Sequence, residues 1–265
     1  MLVLYKINHD LTVLFRKFFA DLIIRHSDLK ERRVYLISPW INNFKFTPPL
    51  TIYPIAYVND IISCIKLLKK LNYEVYILTR CFDDQLIPHK LYNLFVLYNE
   101  ALKNKSSEII NLLRDTMKEF ELILSSIITI LELVKYGIKV KFDRRFCKKD
   151  SLVNLHVKLY ISPLYAIFGS ANLTRSGVLS INEYKYANEE CILFINRDEK
   201  IYNELLNIAR KYYKYAINID ECINNTLIRL NKTLSHIIQV RFYNIDDIIS
   251  YYNLITDRLR KHGLI

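Results

Sequence analysis

Four glycines in 265 residues leave this chain few places where its backbone can turn left-handed or accept a neighbour without a side chain in the way. Gly137, Gly169, Gly177 and Gly263 therefore act as signposts, and hydrophobic period must organise the rest. Leu11, Leu14, Phe15, Phe18, Phe19, Leu22 and Ile23 fall on one helical face behind Asp10, a candidate N-cap. Residues 34–38 read as a buried strand stopped by Pro39. Four of the six prolines lie between 39 and 54, which reads as a rigid irregular loop carrying the only tryptophan, Trp40. A helix over 60–71 and a strand over 74–79 follow. Residues 86–136 are almost continuously helical in pattern and end at Gly137, a good left-handed stop. Strict alternation over 138–142 marks a strand, with further strands expected at 155–161, 165–168 and 191–195. From 198 onward the pattern is helical, with breaks near 218–220 and 243–246. No internal repeat is visible.

Two β-rich stretches separated by helices imply an α/β fold, a mixed β-sheet flanked by helices on both faces. The expected division is one α/β domain over 1–215, with a helical insertion at about 86–136, and a helical C-terminal extension over 216–265. The 51% apolar content is ample for a core and excludes a disordered chain. A net charge of +11 favours an anionic partner, nucleic acid or a phospholipid surface. The five cysteines are odd in number and widely spaced, with no CxxC pair. That argues against a disulfide framework or zinc knuckle, and for a reducing, cytoplasmic setting. The most apolar stretch, 122–134, is interrupted by Glu132 and is too short to span a bilayer. The first residues reach Lys6, His9 and Asp10 before any long apolar run, unlike a secretory signal.

Chemistry concentrates in the segment from His156 to Gly177. Strand alternation puts His156 and Lys158 on one face and Val157, Leu159 and Ile161 on the other. A turn at Ser162-Pro163 returns the chain along 165–168, so that Ser170 and Asn172 arrive near the start of the first strand. An imidazole, an ammonium and two neutral hydrogen-bonding groups then converge, which suits a tetrahedral oxyanion such as phosphate. An HxK triplet alone arises about 0.5 times by chance in this composition. A GSxN run is expected only ~0.02 times, so the two together in order carry the signal.

His156-x-Lys158 followed by Gly169-Ser170-x-Asn172 resembles the HKD motif of the phospholipase D superfamily. Ser38-Pro39-Trp40-Ile41 is similar to the Ser-Pro turn that ends that fold's first strand, and Asn188-Glu189-Glu190 to the Asn-x-Glu after its motif. The resemblance covers about 34–215 and is specific almost wholly in 156–190. It implies a phospholipase D-like fold and a metal-independent phosphodiesterase without cofactor. His156 would be the nucleophile that forms a phosphohistidine. Lys158 and Asn172 would hold the phosphoryl oxygens with Ser170 in support, and Glu190 would orient the imidazole. The family's aspartate, five positions after the lysine, is Pro163 here, and the spacing to Gly169 is one residue short. The family's site uses two such motifs. His9, His26, His89, His236 and His262 all lack a lysine two residues on, so one chain supplies half a site and a symmetric homodimer is expected.

Eight Lys/Arg against two Asp lie between 135 and 158. Lys139, Lys141, Arg144, Arg145, Lys148 and Lys149, with Arg175, are the candidate nucleic-acid contacts, able to track a polyanion toward the motif. The leading expectation is a nuclease, on DNA rather than RNA, without stable membrane association. The alternatives are a phospholipid-headgroup hydrolase or transferase of the same mechanism, and a catalytically decayed nucleic-acid-binding dimer. Cys81, Asp83, Asp84 and His89 have ligand-type side chains but no metal-site spacing, and no metal is expected.

Overall fold

The structure is a computed structural model that describes residues 3–6, 10–53, 56–82, 87–143, 155–179, 188, 190–236 and 240–265. The chain forms two compact units: Met1–Arg80 with Ile128–Ile217, and Cys81–Ile127 with Asn218–Ile265.

The first unit is built on a seven-stranded mixed sheet. Its strands are β1 (Val3–Lys6), β2 (Arg33–Ile37), β5 (Glu74–Thr79), β6 (Lys139–Phe142), β7 (Lys158–Ile161), β8 (Tyr165–Gly169) and β9 (Cys191–Asn196), in spatial order β1-β9-β8-β7-β2-β5-β6. Strands β2, β5 and β6 run parallel, whereas β7, β8, β9 and β1 pair antiparallel. Helices cover both faces, as the alternation of apolar side chains requires. On one face lies α1 (Asp10–Ile24), with Phe15 edge-on to Tyr160 at 4.9 Å and Phe18 edge-on to Tyr165 at 5.9 Å. On the other lies α6 (Lys200–Tyr215), whose Tyr202, Leu205, Leu206 and Ala209 pack with Tyr35, Ile37, Leu159, Ile161, Ala166 and Ile195. Helix α2 (Ile61–Lys70) starts at Asp60, whose carboxylate accepts from Ser63 N at 2.8 Å.

Three expectations are corrected. The stretch read as an irregular loop contains β3 (Lys45–Ile52), which pairs with β4 (Ala56–Asp60) as a separate two-stranded sheet. Pro48 and Pro49 are tolerated because the register shifts between Lys45 and Leu50, where no continuous ladder needs their missing N–H groups. The continuous helix is two, α3 (Ile87–Lys103) and α4 (Ser107–Lys135), separated at residues 104–106. And the strand expected to begin at Leu155 begins at Lys158. β8 ends opposite Lys158 at Gly169, and β2 ends opposite Leu159 at Ile37, so neither offers 155–157 a ladder partner. Strand β1 and the one-turn helix α5 (Arg175–Val178) were not anticipated.

The second unit holds α3, the first part of α4, α7 (Ile219–Leu234) and α8 (Ile245–Lys261). Tyr252 donates to Glu121 at 2.8 Å, and Asn244 and Asp247 close a capping box at the start of α8. Cys81 and Cys222 form a disulfide with Cα atoms 5.6 Å apart. That corrects the expectation of an entirely reduced set: the two lie 141 residues apart and carry no local signature of pairing. Among the described residues no helix is long and apolar enough to cross a membrane.

Candidate active site

One end of the first unit's sheet gathers the carboxyl ends of β2, β5, β6 and β8 with the amino ends of β7 and β9. Side-chain bonds tie this end together. The Ser38 hydroxyl donates to Trp40 O at 2.7 Å and accepts from Leu173 N at 3.0 Å. Thr79 donates to Pro39 O at 3.1 Å, and Tyr160 donates to Ala171 O at 2.7 Å. The Ser-Pro turn after β2 and the Ser-x-Asn loop after β8 are thus held to one another and to the ends of β5 and β7. Gly177 has its own reason: a Cβ there would lie 2.5 Å from Asn172 O and 2.9 Å from Asn172 N. Only glycine lets α5 pack onto the backbone that presents Asn172.

His156 and Lys158 sit at this end. His156 is exposed, whereas Lys158 is buried at 4% exposure, with its Nζ 3.1 Å from Nδ1 and 3.3 Å from Nε2 of the imidazole. Ser170 donates to a Glu190 carboxylate oxygen at 2.5 Å and accepts from Cys191 N at 2.8 Å. Asn188 donates to the other Glu190 oxygen at 3.2 Å. The buried Glu190 carboxylate therefore makes its bonds to Ser170 and Asn188, while the imidazole is bonded to Lys158. The Asn172 amide oxygen is buried with no hydrogen-bond partner among the described residues, an expense that native structures rarely carry.

The ammonium of Lys158 pulls the His156 imidazole below its ordinary pKa; partial burial and the Arg80 guanidinium act in the same direction. The neutral imidazole, which has a lone pair to give, is the favoured form. Burial lowers the Lys158 ammonium, opposed by the Glu190 carboxylate and reinforced by Arg80. Arg80, directly after β5, is the residue the sequence reading missed. Its Nε donates to Leu155 O at 2.8 Å, and its guanidinium lies 5.9 Å from the centre of the Trp40 ring. No local spacing links Arg80 to His156; only the parallel pairing of β2 and β5 brings it there.

The remaining candidates divide. Lys139 lies at the amino end of β6, about 10 Å of strand from the site end at 3.3 Å per residue, and is paired with Glu74 at 2.8 Å. Lys141 lies over the Tyr213 ring at 5.1 Å. Arg175 is exposed on the first residue of α5. Arg144, Arg145, Lys148 and Lys149 lie outside the described residues, as do His9, Asp83 and Asp84. Pro163 is at the far end of the β7–β8 hairpin. There Ser162 accepts from Leu164 N and Tyr165 N, Tyr202 donates to Ser162 O at 2.7 Å, and Arg197 donates to Pro163 O at 3.0 Å. The turn is thus pinned without an aspartate. Among the described residues no three His, Cys, Asp or Glu side chains are placed to share a metal ion.

No protein-family model matches the sequence, and neither does any curated protein. Among solved structures the fold is similar to Nuc from Salmonella typhimurium, a phospholipase D family member, at 12% identity and TM-score 0.43 over 82% of this chain and 97% of that one. It is similar to NucT from Helicobacter pylori at 15% identity and TM-score 0.45 over 82% of this chain and 98% of that one. A third likeness is to TrmBL2, an archaeal chromatin protein with a novel mode of DNA binding, at 10% identity and TM-score 0.36, covering 82% of this chain and 53% of that one.

Proposed function

We propose that this protein is a phosphodiesterase, a nuclease that cleaves DNA through a phosphohistidine on His156, with two copies of the chain completing the site. The observation that carries the reading is the pairing of an exposed imidazole of lowered basicity with a buried ammonium 3.1 Å away, beside the Ser170–Glu190–Asn188 bonds.

In the first step a lone pair of the neutral His156 imidazole attacks phosphorus. The P–N bond forms, the bond from phosphorus to the leaving oxygen breaks, and that oxygen takes a proton from a second copy's His156, whose imidazolium form the bound phosphate anion favours. Water then attacks phosphorus and gives a proton back to that second imidazole. The P–N bond breaks, and the first imidazole is returned. Lys158 and the Asn172 amide would stabilise the charge on the non-bridging oxygens, the ammonium doing what a bound metal ion does in other phosphodiesterases. This reading takes its second imidazole from a second copy. Of those described in the first unit, His26 bonds Ile23 O beyond the end of α1, so His156 is the one imidazole at the site end of the sheet.

Plasmid and single-stranded DNA incubated with the protein should be cut equally well in EDTA and in magnesium. His156→Ala should abolish cutting while DNA binding persists, and light scattering should give a dimer. Strict magnesium dependence, or a monomer of full specific activity, would overturn the mechanism. DNA binding with no cleavage and no trapped phosphoenzyme would leave a nucleic-acid-binding protein, and turnover of phosphatidyl substrates alone would leave a phospholipid hydrolase.

A further inference from the structure

Among the described residues, 155–157 lead into β7 without a strand partner on either side, yet they carry His156. Something other than the sheet ladder must fix this stretch. Leu155 is fully buried on the α6 side, and its carbonyl accepts from Arg80 Nε at 2.8 Å. The Arg80 guanidinium lies 5.9 Å from the centre of the Trp40 ring, and the Ser38 hydroxyl bonds the Trp40 carbonyl. We propose that Arg80 is a positioning residue for the reaction proposed above: it clamps the main chain directly ahead of His156 and adds a second fixed positive charge to the imidazole–ammonium pair.

A neutral donor would satisfy the Leu155 carbonyl equally well, so the clamp alone does not call for arginine. The charge does something further. Among the described residues, the groups acting on the imidazole are Lys158 from its own strand and Arg80 from the end of β5, and both disfavour its protonation; Glu190, ahead of β9, acts on Lys158. Cations gathered before substrate arrives are a preorganised environment for an anion, worth more there than groups that must reorient during the reaction. The guanidinium suits both duties, because it bonds the Leu155 carbonyl through Nε in a fixed geometry and keeps its charge at every working pH. A lysine ammonium is a point charge without that planar fork, so it holds the carbonyl with less fixed geometry. The inference rests on the phosphodiesterase reading for its catalytic part only.

The test uses the full chain, with Arg80→Met removing clamp and charge and Arg80→Lys keeping the charge alone. Three readouts are taken: the His156 titration by NMR, kcat and KM on DNA, and the emission of Trp40. Arg80→Met should raise the His156 midpoint toward its ordinary value and lower kcat roughly 10–100-fold with a smaller change in KM, as expected for a misplaced catalytic group. Arg80→Lys should keep the His156 midpoint near that of the parent protein yet still lose kcat, with Trp40 emission shifted in both. Should Arg80→Met not fold, Arg80→Gln removes the charge while retaining a donor and must raise the midpoint alone. Variants that leave the midpoint and kcat unchanged, or that lose stability without moving the midpoint, overturn the proposal. If the parent protein cuts no DNA, the phosphodiesterase reading fails, while the titration still decides whether Arg80 acts on His156.

Discussion

Replacing Gly169 by alanine should be among the most damaging one-carbon additions this chain can receive. The new Cβ would lie 2.1 Å from Cys191 O and 2.7 Å from Ile192 Cα, both backbone atoms that no rotamer change can move aside. Ordinary contact between such atoms is about 3.5–4.0 Å, so β8 and β9 must part by more than an ångström at the Gly169–Ile192 pair. Two bonds are stretched as they part: Ser170 N to Cys191 O at 2.9 Å and Cys191 N to the Ser170 hydroxyl at 2.8 Å. Each contributes about 1 kcal/mol, and overpacking adds about 1–3 kcal/mol, for a loss of roughly 3–5 kcal/mol. Gly137→Ala is the control. Its φ of +81° strains any other residue, but nothing lies within 4 Å of the added carbon, so the loss is about 1–2 kcal/mol. Urea unfolding followed by Trp40 fluorescence, which reports on the same unit, compares the two. Equal losses, or a larger one at Gly137, would refute the close approach of β8 to β9. A folded Gly169→Ala should also lose activity, because Ser170 and with it Glu190 are displaced.

Because Lys158, burial and Arg80 hold the His156 pKa below 6.5, the neutral imidazole should persist into mild acid. The acid limb of the proposed cleavage should therefore fall below pH 6.5. The unfolded chain binds the proton first, so His156 adds stability that is complete above pH 6.5 and is lost as pH falls through the depressed folded value. Lys158→Met should move the NMR midpoint of His156 upward, and a downward move would contradict the assigned cause. Reducing the Cys81–Cys222 bridge, or replacing Cys222 by serine, opens a loop closed across 141 residues. The chain-entropy relation gives a loss of about 5 kcal/mol. Urea curves with and without a dithiol reductant measure it, and coincident curves would refute the bridge.

Much of the architecture could be read locally, because period and punctuation act over a few residues. The apolar face marks helix α1, an apolar run marks β5, and Gly137, which adopts the left-handed φ a helix stop requires, marks the end of α4. His156, Lys158, Ser170 and Asn172 were legible together because a hairpin joins neighbours in sequence, and the β7–β8 pairing does bring Lys158 opposite Gly169. The candidate loop at 144–149 stood out by charge alone, and charge does not fix geometry.

Where the sequence was silent, the deciding contacts span long separations. Strand β1 pairs with β9 nearly the whole first unit away, and its four residues carry too little pattern to announce themselves. The stretch before β4 was hidden by prolines that a register shift accommodates. Cys81 finds Cys222 only because α3 and α7 fold into the same unit, the insertion and the tail coming together although 90 residues of the first unit lie between them in sequence. Arg80 reaches Leu155 because parallel pairing sets the end of β5 beside the approach to β7. The chemistry-bearing residue types were written in the sequence, since composition and spacing belong to the chain itself. Which charge stands beside which imidazole was not, since that depends on strand order, and strand order is chosen by burying both faces of one sheet at once.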